Sequence, residues 1–375
     1  MRVLQVTHYM PPHHGGIERV ADVLFGGYRR AGLDVLWFAS RVPRDAREHE
    51  PGKRRVPCLN IGETRFGVPV PIWGPRAVRE LAQSVRWADV VHVHDCQYPG
   101  SAFAVRFARR YGRPSLLTQH IGLKIYRSAI LNRVQHAVYA TMGRPALRGA
   151  SRLTFATPTA EAHVRDLLGV LPPDACAIPN GMDLGRFTAG GPAARRDARR
   201  ALGIPEDRAV ALFAGRLVER KGLPLLLDVA RRTPDALFVI AGDGPLSSLL
   251  VDAPVNVRWS RGIPHADMPV YYRAADCLLL LSEGEGFPLV VQEALASGLI
   301  PIVSDRERYA RPLADSGLVE SVSPEIDAVA QAMQRLHAVD AGRSAAARRY
   351  AVEHWDADAM VNRYVGILRD LANVT

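Results

Sequence analysis

Short runs of β-branched residues and leucine alternate along the chain with segments whose apolar positions recur every three to four residues. This is the pattern of strand–helix units around a parallel sheet, whose strands are covered on both faces and read as continuous apolar runs. Val3 to Val6 predicts a first strand. Past a loop of Pro and Gly, Ile17, Val20, Ala21, Leu24, Tyr28 and Ala31 fall at helical spacing, and Gly32 marks the stop. Val35 to Phe38, Val90 to Val93, Ser115 to Leu117 and Leu153 to Ala156 predict further strands of a first set. A second set reads Val210 to Phe213, Leu237 to Ile240, Val255 to Trp259, Cys277 to Leu281 and Ile300 to Val303.

Between the sets, Leu171 to Pro192 is rich in Pro and Gly and leads into an Arg/Ala stretch of helical character. The expected domains are therefore 1–175 and 176–375. Trp355 to Leu371, with Met360, Tyr364, Ile367, Leu368 and Leu371 at helical spacing, predicts an amphipathic helix counted with the second domain, a return onto the first being the alternative. The fold class is α/β, with two doubly wound Rossmann-like domains facing across a cleft. Loops at the carboxyl ends of the strands are where chemistry is expected.

At 375 residues the chain is long enough for two cores, and 48% hydrophobic with 23% charged residues excludes a disordered polymer. The formal charge of +10 attracts phosphates, anionic lipid or acidic glycans without choosing among them. Nearly all of it is arginine: Lys53, Lys124 and Lys221 are the only lysines, so a lysine inside a motif is informative. Cys58, Cys96, Cys176 and Cys277 show no CxxC spacing, which predicts reduced thiols and a cytoplasmic protein. Arg2 opens an apolar run that meets His8 and Pro11 too soon for a signal peptide. No apolar stretch reaches the roughly 20 residues of a membrane span.

Three loops carry candidate chemistry. Pro11-Pro12-His13-His14-Gly15-Gly16-Ile17-Glu18 leads from the first strand into a helix, where the Gly15 and Gly16 amides and the helix dipole suit an anion; a tight turn without a ligand is the plainer alternative. In Gly215-Arg216-Leu217-Val218-Glu219-Arg220-Lys221-Gly222, a guanidinium fork and a point charge on one loop suit a diphosphate, a solvated basic loop being the alternative. In Ser282-Glu283-Gly284-Glu285-Gly286-Phe287-Pro288, Glu285 lies in the loop, Pro288 is placed as the first residue of a helix, and Glu293 lies on that helix before Gly298 stops it. Such carboxylates accept hydrogen bonds from sugar hydroxyls, or else cap a helix and face solvent.

Over essentially its whole length the chain resembles retaining glycosyltransferases of family 4, the group 1 glycosyltransferases of the GT-B fold. The resemblance is carried by E-x7-E at Glu285 to Glu293, taken in order with G-R-x4-K-G at Gly215 to Gly222. Pro12-His13-His14-Gly15-Gly16, Ile178-Pro179-Asn180-Gly181-Met182-Asp183 and Ala241-Gly242-Asp243-Gly244-Pro245 support it. The resemblance implies a hexose-type sugar moved from a UDP- or GDP-sugar to a glycan, lipid-linked or small-molecule acceptor, with no cofactor and no nucleic acid. The donor would sit in the C-terminal domain and the acceptor in the N-terminal one. Arg216 and Lys221 would neutralise the leaving diphosphate, Gly15 and Gly16 would touch it, Glu285 would hold the sugar and Glu293 the ribose. Phe287, Leu289 and Val290 would line the site with backbone groups, and His120 of Thr118-Gln119-His120 would sit beside the sugar.

The chain departs from the family pattern in places. Pro288 replaces a glycine and has no N–H; Ile121-Gly122 stands where Asp often follows the histidine; Arg306-Glu307-Arg308-Tyr309 stands where relatives often have G-G-x-x-E. His94, in His92-Val93-His94-Asp95, reads as a core histidine. No metal site is expected, because Asp356-Ala357-Asp358 precedes the last helix instead of following a strand. Two rivals remain: a phosphorylase or epimerase on the same scaffold, for which neither Lys53 nor Lys124 lies in a suitable motif, and a non-catalytic anion or nucleic-acid binder, which gives Glu285 and Glu293 no purpose. Leu123 to Leu147 mixes Ile125, Ile130, Leu131, Val134 and Val138 with Arg127, Arg133 and Arg144. It reads either as a peripheral contact with the inner face of a membrane or as a helix packed on the first domain.

Overall fold

The structure is a computed structural model; it describes residues 1–13, 15–42, 49–66, 70–123, 128–336 and 341–373. The chain divides into two compact units, Met1–Gly181 with Ala357–Thr375, and Met182–Asp356.

The first unit is built on an eight-stranded sheet. Its strands are β1 (Arg2–Val6), β2 (Asp34–Ser40), β3 (His49–Glu50) and β4 (Lys53–Val56), then β7 (Val90–His94), β8 (Ser115–Gln119), β9 (Arg152–Phe155) and β10 (Cys176–Ala177), while β5 (Cys58–Leu59) and β6 (Ile72–Trp73) pair apart as a small antiparallel ribbon. The order across the sheet is β10-β9-β8-β7-β1-β2-β4-β3, and only the β3–β4 pair is antiparallel. All five expected strands are present. The unexpected ones are only two to four residues long, and the longest, Lys53-Arg54-Arg55-Val56, has no apolar run. Lys53 lies 5.3 Å from the ring centres of Phe25 and of Trp37, and its ammonium pairs with Asp22.

The division falls after Gly181, later than the expected boundary between 175 and 176, because Cys176–Ala177 adds a strand to the first sheet beside β9. The helix Ala357–Asn373 belongs to this first unit. It buries Met360, Val361, Tyr364, Val365 and Leu368, and Val361 lies so close to Gly27 of the helix Gly16–Arg30 that a Cβ there would stand 2.5 Å from it. A side chain of this kind contributes about 1.5–3 kcal/mol on full burial, which fastens the helix to the first unit.

The second unit is a six-stranded, all-parallel sheet of β11 (Val210–Ala214), β12 (Leu237–Ala241), β13 (Val257–Ser260), β14 (Cys277–Leu280), β15 (Ile300–Ser304) and β16 (Glu320–Val322). The order is β13-β12-β11-β14-β15-β16. Leu212, Phe213, Phe238, Ile240, Leu278, Leu279, Leu280, Ile300 and Ile302 form the middle of its core. An ion pair is buried with them: Arg199, 1% exposed, donates to Asp276 and to the carbonyls of Ala274, Pro205, Glu206 and Arg208, while Asp276 also accepts the Val210 N–H.

In both sheets the chain order reverses at one place, between β1 and β7 in the first unit and between β11 and β14 in the second. Loops leaving the carboxyl ends of two such strands diverge and open a crevice, the standard ligand position of a doubly wound sheet.

Candidate active site

In the second unit the crevice is framed by Gly215–Gly222 after β11 and Leu281–Pro288 after β14. The first of these loops is shaped by close backbone contact. A Cβ on Gly242 would lie 1.9 Å from the Gly215 carbonyl, one on Gly244 would lie 2.6 Å from that of Leu217, and one on Gly222, at φ +73°, would lie 2.4 Å from that of Leu281. Leu217 N–H donates to the Asp243 carbonyl at 2.9 Å, and Leu246 N–H to the Leu217 carbonyl at 3.0 Å. The Gly215–Gly222 and Ala241–Pro245 motifs are thus two sides of one packed turn.

Lys221 and Glu285 meet there, Nζ to Oε1 at 2.8 Å, each only 11% exposed. Arg220, which the sequence reading passed over, also donates to Glu285 Oε1 at 2.6 Å. The Glu285 N–H in turn donates to both oxygens of Glu307, at 3.1 Å each. Arg216 is exposed, and its guanidinium makes no ion pair with the described residues. The site therefore holds two cations paired with Glu285, Lys221 and Arg220, and one open to solvent, Arg216.

Pro288, expected as the first helical residue, is instead the N-cap of the helix Leu289–Ala296, which starts one position later. Phe287, Leu289 and Val290 are half-buried where this helix begins, and the Phe287 ring rests against Tyr309 and Trp355, 5.3 Å from each. Glu293 is turned inward, 5% exposed, with Tyr272 Oη donating at 2.7 Å and His265 Nε2 at 2.8 Å from the other oxygen. Glu285 and Glu293 thus differ in kind: one is salt-bridged in a loop, the other braced within the core.

The first unit gathers its polar groups at its own reversal point. Gly15 is the N-cap of the helix Gly16–Arg30, and a Cβ on it would stand 2.1 Å from Glu18 Oε2. The anion nearest to the Gly15–Gly16 turn is thus the chain's own carboxylate. Glu18 is buried, and Oε1 lies 2.9 Å from His13 Nδ1 and 3.5 Å from His8 Nε2. Burial alone would raise its pKa; His8 and His13 outweigh that and lower it. The other nitrogen of His13 meets Glu63 at 2.9 Å. Burial works against the imidazolium, yet the two carboxylates raise the His13 pKa to about 9, and the imidazolium helps bring Glu63 down to about 2. His14 lies outside the described residues, as do Lys124, Ile125 and Arg127.

His120 is 4% exposed. Its N–H donates to Asp95 Oδ1 at 2.7 Å, and its Nε2 lies 2.8 Å from His94 Nδ1. Burial lowers its pKa to about 4, against a pull upward from Asn180, and His94 is pushed well below the usual histidine value. Burial thus favours the neutral form of both rings, and their facing nitrogens lie at hydrogen-bond distance. His92, lowered to about 3 by burial, completes the group through Tyr28 at 2.9 Å and Thr118 at 2.8 Å. His94 is a core histidine as expected, and also the support of His120. The signal was present in the pairing of neighbouring strands: His94 lies opposite Thr118, and His120 follows two residues on, with the same facing.

Of the stretch Leu123 to Leu147, the described part divides in two. Tyr139, Ala146 and Leu147 are packed into the first unit's core. The helix Ala129–Val138 has no buried residue, with Ile130 71% and Val134 53% exposed. No helix is long and apolar enough to cross a membrane, and no three His, Cys, Asp or Glu are grouped to hold a metal, among the described residues. No disulfide joins the four cysteines; Cys96 and Cys277 are buried, and Cys58 and Cys176 half-buried.

Two family models match: "Glycosyltransferase Family 4" over residues 14–186 and "Glycosyl transferases group 1" over residues 194–351. Among relatives, the D-inositol 3-phosphate glycosyltransferase of Frankia alni is 30% identical over 60% of this chain, which spans 59% of that protein's length. The enzyme of the same name from Geodermatophilus obscurus is 32% identical over 84% of this chain and 75% of its own length. The GDP-mannose:cellobiosyl-diphosphopolyprenol alpha-mannosyltransferase of Xanthomonas oryzae is 25% identical over 100% of this chain and 98% of its own. Among solved structures, the sucrose-phosphate synthase of Thermosynechococcus elongatus shares the fold, with a TM-score of 0.79, 19% identity and 100% of both chains covered.

Proposed function

The chain belongs to the family 4, group 1 glycosyltransferases, and from that premise we propose that it transfers a hexose-type sugar, with retention of configuration, from a UDP- or GDP-sugar to a glycan, lipid-linked or small-molecule acceptor. The observation that carries this reading is the meeting of Lys221 and Glu285 at the reversal point of the second sheet. A sugar nucleotide presents an anionic diphosphate beside a ring of hydroxyls. It therefore needs a cation and a carboxylate side by side, and these two are the pair that the crevice holds.

Lys221 and Glu285 neutralise each other. A diphosphate would compete with Glu285 for Lys221 and add Arg216, and Glu285 would be released to accept hydrogen bonds from the sugar. As the glycosidic C–O bond of the donor breaks, negative charge grows on the departing β-phosphate oxygen. Two fixed cations then stabilise the transition state more than the ground state. The acceptor hydroxyl forms the new bond on the same face, and its proton passes to the departing phosphate. No protein nucleophile is needed, and the charge that a divalent metal would supply is met by Arg216 and Lys221. Glu293 is read as the ribose partner. His120, neutral and held by His94, is read as a positioning group beside the sugar. The Gly15 and Gly16 amides and the first turns at Phe287, Leu289 and Val290 are read as backbone partners of the donor.

A screen of UDP-, GDP- and ADP-sugars for slow hydrolysis and for transfer tests the reading; a protein that turns over none of them and binds none of the free nucleoside diphosphates is not this enzyme. For the acceptor, the exposed stripe of Ile130 and Val134 beside Arg133 suits a lipid-linked substrate at the cytoplasmic face of a membrane. Flotation with anionic liposomes tests it, and protein left in solution counts against it.

A further inference from the structure

Glu307 is a buried carboxylate to which the reading above gives no part. It is 3% exposed, in the turn after β15, and accepts the Glu285 N–H between its two oxygens at 3.1 Å. The charged and titratable groups facing it are the carboxylate of Glu285, the ammonium of Lys221 and the hydroxyl of Tyr309. Of its neighbours in sequence, Arg306 is drawn off to Glu283, Arg308 is exposed, and the Tyr309 ring stands edge-on to Phe287 at 5.3 Å. The turn after β15 therefore holds the loop after β14 at two points, by a carboxylate at the amide of residue 285 and by a ring at residue 287.

An ionised carboxylate in such a place is costly, since burial disfavours its charge and a second carboxylate repels it. Burial raises the Glu307 pKa to about 7, against the pull of the Glu285 N–H and of Lys221. The feature that repays this is geometric: both oxygens converge on one N–H, a charge-assisted bond that a protonated or amide group makes less well.

We propose that Glu307 is a positioning residue for the donor site: its ionised carboxylate holds the Glu285 amide and thereby sets where the Glu285 side chain stands toward the bound sugar. This rests on Glu285 being the sugar-holding carboxylate. The diphosphate can take Lys221 from Glu285 without loosening the loop, because the loop is gripped by its backbone from behind. The grip acts on the sugar end of the donor, so it shows in kcat and leaves the affinity for the free nucleoside diphosphate unchanged.

The test compares the wild type with Glu307→Gln and Glu307→Asp across pH 5.5 to 8.5. Wild-type kcat rises with pH to a plateau with a midpoint near neutrality, while UDP or GDP affinity by calorimetry stays level. Glu307→Gln loses that limb and falls in kcat by roughly 10²-fold, the scale of a small misplacement of a reacting group. Glu307→Asp keeps the limb at reduced kcat. In ¹⁵N-labelled protein the Gly284 and Glu285 amide resonances titrate with the same midpoint, and in Glu307→Gln they do not. Should Glu307→Gln fail to fold, a displaced amide midpoint in Glu307→Asp carries the test. An unchanged limb or an unchanged amide titration in Glu307→Gln overturns the proposal. If no sugar nucleotide is turned over while the amide titration depends on Glu307, the functional reading fails and the hold on the loop stands.

Discussion

Lys221 Nζ lies 2.8 Å from Glu285 Oε1, joining a cation assigned to the leaving diphosphate to a carboxylate assigned to the sugar. With 11% exposure on each side, neither charge is fully solvated, and each lowers the cost of burying the other. Lys221→Ala is expected to lower kcat by roughly 10²–10³-fold, the usual loss when one group stabilising transition-state charge is removed. Glu285 keeps Arg220 as a partner, so the fold survives. Arg216→Ala, which breaks no ion pair among the described residues, should lose turnover on a similar scale with an unchanged melting temperature. Steady-state kinetics beside circular dichroism check both, and near-normal turnover in either variant removes the diphosphate assignment.

The two carboxylates of the E-x7-E motif should separate cleanly. Glu285→Gln removes a charge from a loop and should lose transfer while retaining the nucleoside diphosphate. Glu293→Gln changes a 5% exposed side chain that accepts from Tyr272 and His265, so it should weaken nucleotide binding and lower stability together. Calorimetry with free UDP or GDP and a thermal melt distinguish them; the reverse ranking means that the two roles are exchanged.

Stability of the second unit should depend on one buried arginine. Arg199→Ala takes from buried Asp276 one of its two arginines and strips four carbonyls of a donor, and breaking such a pair costs about 3–5 kcal/mol. Urea unfolding should show a lower midpoint with little change in slope. A shift within the scatter of surface arginine variants would mean that this network is dispensable.

The first unit should be sensitive to alkali through His13. Its folded pKa, about 9, exceeds the unfolded value of about 6.5, so the contribution of the Glu18–His13–Glu63 group is full below pH 6.5 and lost as pH rises through 9. Glu63, at about 2, contributes in full above its unfolded value of about 4.5 and loses that contribution as pH falls from there through 2. The melting temperature of the wild type should therefore fall by several degrees between pH 6 and 10, and that of His13→Gln should start lower and fall less. Parallel curves would place the alkaline loss elsewhere.

The ten strands expected from apolar runs all form, because a strand covered on both faces is mostly apolar and leaves a near-continuous signature, even where a buried His92 or Thr118 interrupts it. Strands at the margins do not: Lys53–Val56 is three-quarters basic and is held by rings and by Asp22, none of them nearby in sequence. Lys221 and Glu285 were readable because each lies in a loop bounded by glycines after an obvious strand. Glu307 was not, since nothing in local spacing shows that the turn after β15 passes behind the loop after β14; only the adjacency of the two strands does. The final helix was legible as amphipathic, but the unit that receives it follows from a partner, Gly27, far away in the chain.

Activity should need no divalent metal. The chain contains one D-x-D sequence, Asp356-Ala357-Asp358, of the kind that holds a metal in transferases of the other common fold. Both residues sit at the entry to the last helix, away from any strand end. Asp358 opens the helix Ala357–Asn373, 79% exposed and 3.5 Å from Arg30, where a carboxylate favours the first turn through the helix dipole. Asp356 makes a backbone bridge to Met182. Neither lies on a loop framing the crevice between β11 and β14, where Arg216 and Lys221 already offer two positive charges to a diphosphate. Enzyme treated with EDTA should keep most of its rate, and Asp356→Ala should lower the melting temperature more than it lowers kcat. Loss of turnover on chelation, restored by Mg²⁺ or Mn²⁺, would show that the two cations alone do not stabilise the leaving group.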